Sequence, residues 1–415
     1  MEEQQRWFVG VDWASKAHQV HVADANGTKV GGRSFEHGGA GLAAMADWIL
    51  KVTGTGPEAV HVAIEVPHGP VVECLMERGF QLYAINPKQL DRFRDRLSPA
   101  GAKDDRRDAE VLASALRTDP HCLHPLKPID PVVIELREWS RIADELGQER
   151  VRLGNRLRDQ LWRYYPQMVE IADDLAADWV LELWKLAPTP GTARRVREDT
   201  VARLLKHHRI RRIAAPEVLQ CLRSPAIAVA PGTVEAASAH IRTLAKRLAL
   251  TNRELRAAHA QLDRLIERLT TGGEAEPGQK PEQRDVAILA SSPGAGRIVL
   301  ATLLAEAPEA LQRRDYHALR CLCGTAPVTK QSGKSKIVVR RLAASRRLRN
   351  AAYHWALAAL QYDPRSQAKY AALRQRGHGH ARALRSVADR LLAVACAMLR
   401  TQTTFEPDRY ASLAA

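Results

Sequence analysis

What the chain lacks narrows it first. Its six cysteines, at 74, 122, 221, 321, 323 and 396, include no Cys-x-x-Cys pair. Neither a zinc site nor a disulfide framework is therefore suggested, and a reducing compartment fits. No uninterrupted apolar run reaches the length that spans a bilayer, and the polar start Met1-Glu2-Glu3-Gln4-Gln5-Arg6 leads directly into an apolar stretch. The expectation is a cytoplasmic, nucleoid-associated protein with no membrane partner. Acid is the scarcer charge: Asp+Glu number 47 against 62 Lys+Arg, a net charge of +15. That imbalance favours a polyanionic partner, nucleic acid first. With 415 residues there is room for two or three domains with substantial cores.

The organising stretch is Phe8-Val9-Gly10-Val11-Asp12-Trp13-Ala14-Ser15-Lys16. It reads as an apolar strand ending on a carboxylate, which is costly to bury unless a cation meets it. Alternation at Val20 and Val22, the turn Asn26-Gly27 and the segment 29–35 extend it into a three-stranded meander. Helical spacing over 40–52, a strand over 60–64, a helix over 70–78, a strand over 81–85 and a helix over 87–94 follow. This βββαβ order, continued by α/β alternation, predicts a mixed sheet with helices on both faces. It matches both the ribonuclease H-like layout and the opening of the actin-like ATPase fold. Glu65 ends the run Val60-His61-Val62-Ala63-Ile64, and Lys103-Asp104-Asp105-Arg106-Arg107-Asp108 opens a helix over 102–116. Asp105 and Asp108 are three apart and share a face, in the turn where the helix dipole favours negative charge. A divalent cation shared with Asp12 and Glu65 would explain them. A helix cap paired with Arg106 and Arg107 would explain them equally.

Beyond Asp130 two heptad-like seams appear. One runs through Val132, Leu136, Trp139, Ala143, Leu146, Leu153, Leu157 and Tyr164, interrupted by Arg150. The other runs through Ala237, Ile241, Leu244, Leu248, Thr251, Leu255, Ala258, Leu262, Leu265 and Leu269. Each predicts a helix about 50 Å long, as an antiparallel pair or as oligomer-forming arms. Short helices broken by proline are expected over 166–232, and 271–281 is the clearest linker.

The last third is expected to be mostly helical, with helices over 299–306, 351–360 and 381–399. The turn Pro293-Gly294-Ala295-Gly296 presents backbone N–H groups to a phosphate, as helix-hairpin-helix DNA binders do. The segment 331–350 holds seven basic residues and no acid. Lys330, Lys334, Lys336, Arg340, Arg341, Arg346, Arg347 and Arg349, with Gly294 and Gly296, are the expected nucleic-acid contacts. Within Thr329-Lys330-Gln331-Ser332-Gly333-Lys334-Ser335, Ser332 in a basic, flexible loop could approach a phosphodiester as a nucleophile. Ordinary loop composition accounts for the same residues. It is no phosphate-binding P-loop, because no glycine stands five residues before Gly333.

Together these residues resemble one family: insertion-sequence transposases with an N-terminal RuvC-like domain carrying a DEDD acidic set and a C-terminal domain carrying a catalytic serine. The resemblance rests on Val11-Asp12, Ile64-Glu65, 103–109, Pro293-Gly294-Ala295-Gly296, Cys323-Gly324-Thr325-Ala326-Pro327 and Ser332-Gly333. It implies that Asp12, Glu65, Asp105 and Asp108 bind Mg²⁺ or Mn²⁺ and that Ser332 forms a covalent phosphoserine intermediate with DNA. It further implies a structured bridge RNA as guide, donor and target double-stranded DNA as substrates, and a dimer or tetramer in which one protomer's acidic site works with another's serine. Asp104 stands where the family has a small polar residue, and Ser335 and Ser345 are fallback nucleophiles. The implied domains are 1–125 (RuvC-like catalytic), 126–271 (helical, coiled coil), 272–286 (linker) and 287–415 (transposase domain).

Three other readings compete. A RuvC-like nuclease or junction resolvase would use the carboxylates to activate water, leaving Ser332 structural. An actin-like kinase would need a glycine-rich turn where Trp13-Ala14-Ser15 stands. A non-catalytic nucleic-acid binder would use only the long helices and the basic tail.

Overall fold

The computed structural model describes residues 6–97, 104–127, 130–230, 232–271, 284–333 and 335–407. It divides into two compact units, 1–129 and 130–415.

The first unit is a mixed α/β layer. Strands β1 (Trp7–Asp12), β2 (Ala17–Ala23) and β3 (Lys29–Glu36) form the meander, followed by helix α1 (Gly39–Thr53) and β4 (Val60–Ile64). Then come α2 (Pro70–Glu77), β5 (Gln81–Ala84), α3 (Pro87–Leu97), α4 (Asp105–Thr118) and a two-residue strand β6 (His124–Pro125). The sheet order is β3-β2-β1-β4-β5-β6, with β1, β4 and β5 parallel and the outer pairings antiparallel. Strand alternation sorts the side chains between two cores. Val9, Val11, Val62 and Ile64 pack with Met45 and Ile49 of α1. Ala63 faces the other way, onto Leu90 of α3 and Val111, Leu112 and Leu116 of α4. The βββαβ order and the helix faces agree with the sequence pattern.

Among its described residues the second unit is helical apart from one hairpin. Helix α5 (Pro131–Tyr164) is followed by five short helices, α6 (Gln167–Glu170), α7 (Asp178–Leu186), α8 (Pro190–Ala193), α9 (Glu198–His207) and α10 (Ala215–Leu222), and then by α11 (Thr233–Thr271). Most of the segment expected to be a linker lies outside the described residues. Beyond it come α12 (Asp285–Ala290), α13 (Arg297–Glu306), α14 (Pro308–Gln312) and α15 (Tyr316–Leu322). The strands β7 (Val328–Ser332) and β8 (Ser335–Val339) pair antiparallel, and α16 (Arg346–Tyr362), α17 (Pro364–Gln375) and α18 (His380–Thr401) complete the chain.

The two long helices pair with each other inside one chain, running antiparallel. Leu136 and Ala143 meet Ala258, Leu262 and Leu265, whereas Leu153 and Leu157 lie with Ile241, Leu244 and Leu248. At 34 and 39 residues they extend about 50 and 60 Å. Arg150, the polar break in the first seam, donates from Nε to Asn252 Oδ1 at 2.8 Å and from Nη2 to Asp174 at 2.5 Å.

Candidate nucleic-acid-processing site

The acidic residues are positioned by the parallel pairing of β1 with β4. Val11 is opposite Ile64, so Asp12, the last residue of β1, and Glu65, the first beyond β4, leave the sheet at the same end. The pleat then places them on one face. Asp12 has the parity of Gly10, and Glu65 that of Ala63, so both belong to the side covered by α4.

Helix α4 reaches this corner because Gly10 has no side chain. A Cβ at position 10 would overlap the Ala109 carbonyl and lie 2.7 Å from the Ala113 nitrogen. The first turn of α4, with its carboxylates, is thus docked beside the end of β1. Asp104 is the N-cap, its side chain accepting from Arg106 N at 3.4 Å. Asp105 is exposed, while Asp108 is buried, 3% exposed. Asp108 is paired with Arg94 of α3, whose Nε donates to Oδ1 at 2.6 Å while Nη1 donates to Asp91 at 2.6 Å. These bonds, that to Asp108 foremost, hold Arg94 above its ordinary pKa. Sequence reasoning missed Arg94. It is one of three arginines on α3, with Arg92 and Arg96, and no local pattern distinguishes it from the other two.

Hard carboxylate oxygens suit a divalent cation such as Mg²⁺. Parallel pairing brings Asp12 and Glu65 to one end of the sheet, and the contact of Gly10 with Ala109 sets α4, with Asp105 and Asp108 in its first turn, on the same face. Their side chains are not drawn together: among the described residues no three His, Cys, Asp or Glu groups come close enough to hold a metal ion. Asp108 is turned to Arg94. The donor set fits a cation in chemistry and in strand placement, with Asp108 having to exchange one positive partner for another.

In the second unit Ser332 is exposed at the end of β7, opposite Ser335 across a two-residue connection. The flexible loop expected there is a β-hairpin, whose strands carry Lys330 and Lys336 on exposed positions. Lys334 lies outside the described residues. Arg340 and Arg346 are exposed, and Arg341 and Arg349 are partly buried. Arg347 is committed internally, donating to Asp144 at 3.2 Å and to Ser140 at 2.7 Å on α5. The turn at Gly294 also has a packing reason: its φ is +77°, and a Cβ would sit 2.6 Å from Ala359 N of α16. Pro293 is fixed there by the Trp355 indole N–H, which donates to its carbonyl at 3.0 Å. Gly296, one turn residue on, is exposed.

Comparisons with known proteins bear on both units. The DEDD_Tnp_IS110 family model, described as "Transposase", matches residues 9–166, and the model "Transposase IS116/IS110/IS902 family" matches 286–371. The "Mini-circle putative transposase for IS117" of Streptomyces coelicolor is 30% identical over 97% of this chain and 96% of its own length. The chain belongs to the IS110/IS116 transposase family. A second relative of this transposase, "Putative transposase y4uE" of Sinorhizobium fredii, is 59% identical over 56% of the chain; the match spans 64% of that protein's length. A third, "Insertion element IS110 uncharacterized 43.6 kDa protein" of Streptomyces coelicolor, is 28% identical over 96% of the chain. The DEDD match covers Asp12, Glu65, Asp105 and Asp108, and the second match covers Ser332 and the basic segment. No helix among the transposase's described residues is long and apolar enough to cross a membrane.

Proposed function

We propose that this transposase cuts and rejoins DNA through a covalent phosphoserine intermediate, with a Mg²⁺-dependent (or Mn²⁺-dependent) acidic site in a RuvC-like, ribonuclease H-like domain. The observation that carries the reading is the corner where Asp12 and Glu65 leave adjacent parallel strands beneath the first turn of α4. Asp12, Glu65, Asp105 and Asp108 hold the cation; Asp104 is left to cap the helix. When bound, the cation neutralises charge on a phosphodiester and favours departure of an oxyanion. Ser332 Oγ forms a bond to phosphorus as the bond to the deoxyribose oxygen breaks, and the released hydroxyl later reverses the exchange on a new strand. The ester conserves the bond energy, so no nucleotide cofactor is required.

Donor and target duplexes are the substrates, read through a bridge RNA, and the protein acts as a dimer or tetramer on the nucleoid in the cytoplasm. The 126–271 region supplies the helical scaffold and 287–415 the serine and basic contacts. Water hydrolysis by a RuvC-like nuclease is the second reading. One observation favours it: among the described residues no side chain hydrogen-bonds Ser332 Oγ to activate it.

The test is co-expression with the element's flanking DNA, denaturation, and a search for DNA covalently attached to protein. Wild type is expected to give an adduct on the Ser332 peptide, absent from Ser332→Ala and from Asp12→Asn. Cleavage that survives Ser332→Ala without an adduct, and is lost in Asp12→Asn, would establish hydrolysis instead.

A further inference from the structure

The second unit contains a pocket of about 470 Å³ whose walls come from α15, the 324–327 turn, the end of β8, α17 and α18. Seven arginine or lysine side chains line it against one carboxylate, Asp389. That carboxylate is already spent: Arg320 donates to it from Nε at 3.1 Å and from Nη2 at 2.7 Å, and Thr325 Oγ1 donates at 2.7 Å. Arg390, 6% exposed, pairs with Asp363 at 3.5 Å.

Four arginines remain: Arg340, Arg341, Arg382 and Arg385. Among the described residues none of them has a carboxylate partner. Burial, and then the charges of Arg340 and Arg382, hold Arg385 below its ordinary pKa. Arg341 Nε and His378 Nδ1, both on pocket residues, are buried without a hydrogen-bond partner among the described residues. Crowding like charges and unsatisfied buried nitrogens around a concavity is unfavourable in the free protein. It becomes favourable when an anion enters.

The composition selects that anion. Guanidinium forks match phosphate oxygens two at a time, which ammonium groups do not. Arg382, Arg385, Ser386 and Asp389 recur at three- and four-residue spacing, so α18 presents them as one stripe along the pocket wall. The volume is near the low end of ligand pockets, about 300–1,000 Å³, enough for a nucleotide or two and too narrow for a duplex. The pocket also lies at the end of β8, the strand paired with the one that ends on Ser332.

We propose that this pocket clamps backbone phosphates of a single DNA strand separated from its partner. The inference rests on the DNA-recombinase reading and adds a site to it, with Arg382 and Arg385 lying outside the basic segment that the sequence singles out.

The test uses the full chain and a labelled single-stranded DNA, an RNA of the same sequence and the corresponding duplex, titrated between about 50 and 200 mM salt. Wild type is compared with Arg385→Gln, Arg385→Lys and the Arg382→Gln/Arg385→Gln double variant. The double variant is expected to bind single-stranded DNA at least tenfold more weakly, with a log–log salt slope shallower by about 1.4, the value for two lost phosphate contacts on a single strand. Arg385→Lys should retain more affinity than Arg385→Gln. The ligand-free double variant should melt no lower than wild type, because repulsion is relieved. Wild-type affinity and slope in the double variant overturn the proposal, as does a loss confined to RNA or to the duplex. Should the double variant fail to fold, wild type is titrated with strands carrying neutral methylphosphonate links: a position-specific loss supports the clamp, and uniform tolerance overturns it. The Ser332 adduct separates the two readings. Adduct formation with no pocket effect removes the clamp alone, and a pocket effect with no adduct removes the serine mechanism alone.

Discussion

The carbonyl oxygen of Ala109 occupies the space that a side chain at Gly10 would need. This contact between the centre of β1 and the first turns of α4 sets where the α4 carboxylates stand relative to Asp12. Backbone atoms cannot yield as a flexible side chain does, so Gly10→Ala must push the helix outward. The expected cost is about 1–3 kcal/mol of stability, as for other overpacked cores. It should appear as a lower urea midpoint at unchanged slope. A substitution that leaves the midpoint in place would show that α4 does not dock on β1 this closely.

Asp108 is buried against Arg94. Arg94→Ala leaves its carboxylate without that partner, and breaking a buried pair from one side costs about 3–5 kcal/mol. A divalent cation bound by Asp108 would replace the missing charge. Mg²⁺ is therefore expected to raise the thermal midpoint of Arg94→Ala by more than it raises that of wild type. Equal increments in the two proteins would argue that Asp108 is not a ligand.

Three histidines make the first unit sensitive to acid. His18, His21 and His61 all have lowered pKa values, burial being the main cause in each; His37 adds to it at His18, Lys29 at His21 and Arg6 at His61. A group whose folded pKa lies below its unfolded value contributes its full stability above the unfolded value, about 6.5 for histidine. That stability is lost as pH falls from there through the folded value, since the unfolded chain binds the proton first. Hydrogen exchange of peptides from β1 and β4 in the full chain, corrected for intrinsic rates, should show protection falling below about pH 6.5. His18→Gln combined with His61→Gln should flatten that dependence.

The elements of the first unit were legible because β1, β4, α1 and α4 carry strong apolar periodicity. Their consequence at the site was less so. That Asp12 and Glu65 share the α4 face depends on the pairing of Val11 with Ile64, which no local pattern states. The β7–β8 hairpin escaped notice because nearly every residue in it is exposed, so there is no buried face to impose alternation. Charge counting overstated the basic segment at Arg347, whose guanidinium serves Asp144 and Ser140. It also overlooked Arg382 and Arg385, which sit on an apolar helix and acquire meaning only beside Arg340 and Arg341.

The break in the first heptad seam has its own partner in the second. Asn252 accepts from Arg150 Nε at 2.8 Å and donates from Nδ2 to the Ala176 carbonyl at 2.8 Å and to Asp178 at 2.6 Å. Asn252→Leu removes all three bonds and leaves Arg150 facing an apolar neighbour. A loss of about 2–4 kcal/mol is expected, near 1 kcal/mol per bond with added desolvation. Arg150→Leu alone should also destabilise, because the Asn252 carbonyl then lies buried and unsatisfied. The double variant Arg150→Leu/Asn252→Leu should recover most of the loss, since well-packed apolar residues replace a buried polar pair at little net cost. Urea midpoints of the four proteins test this as a cycle. A coupling above about 1 kcal/mol is expected for residues acting as one unit, whereas simple addition of the two losses would mean that Arg150 and Asn252 stabilise the helix pair independently.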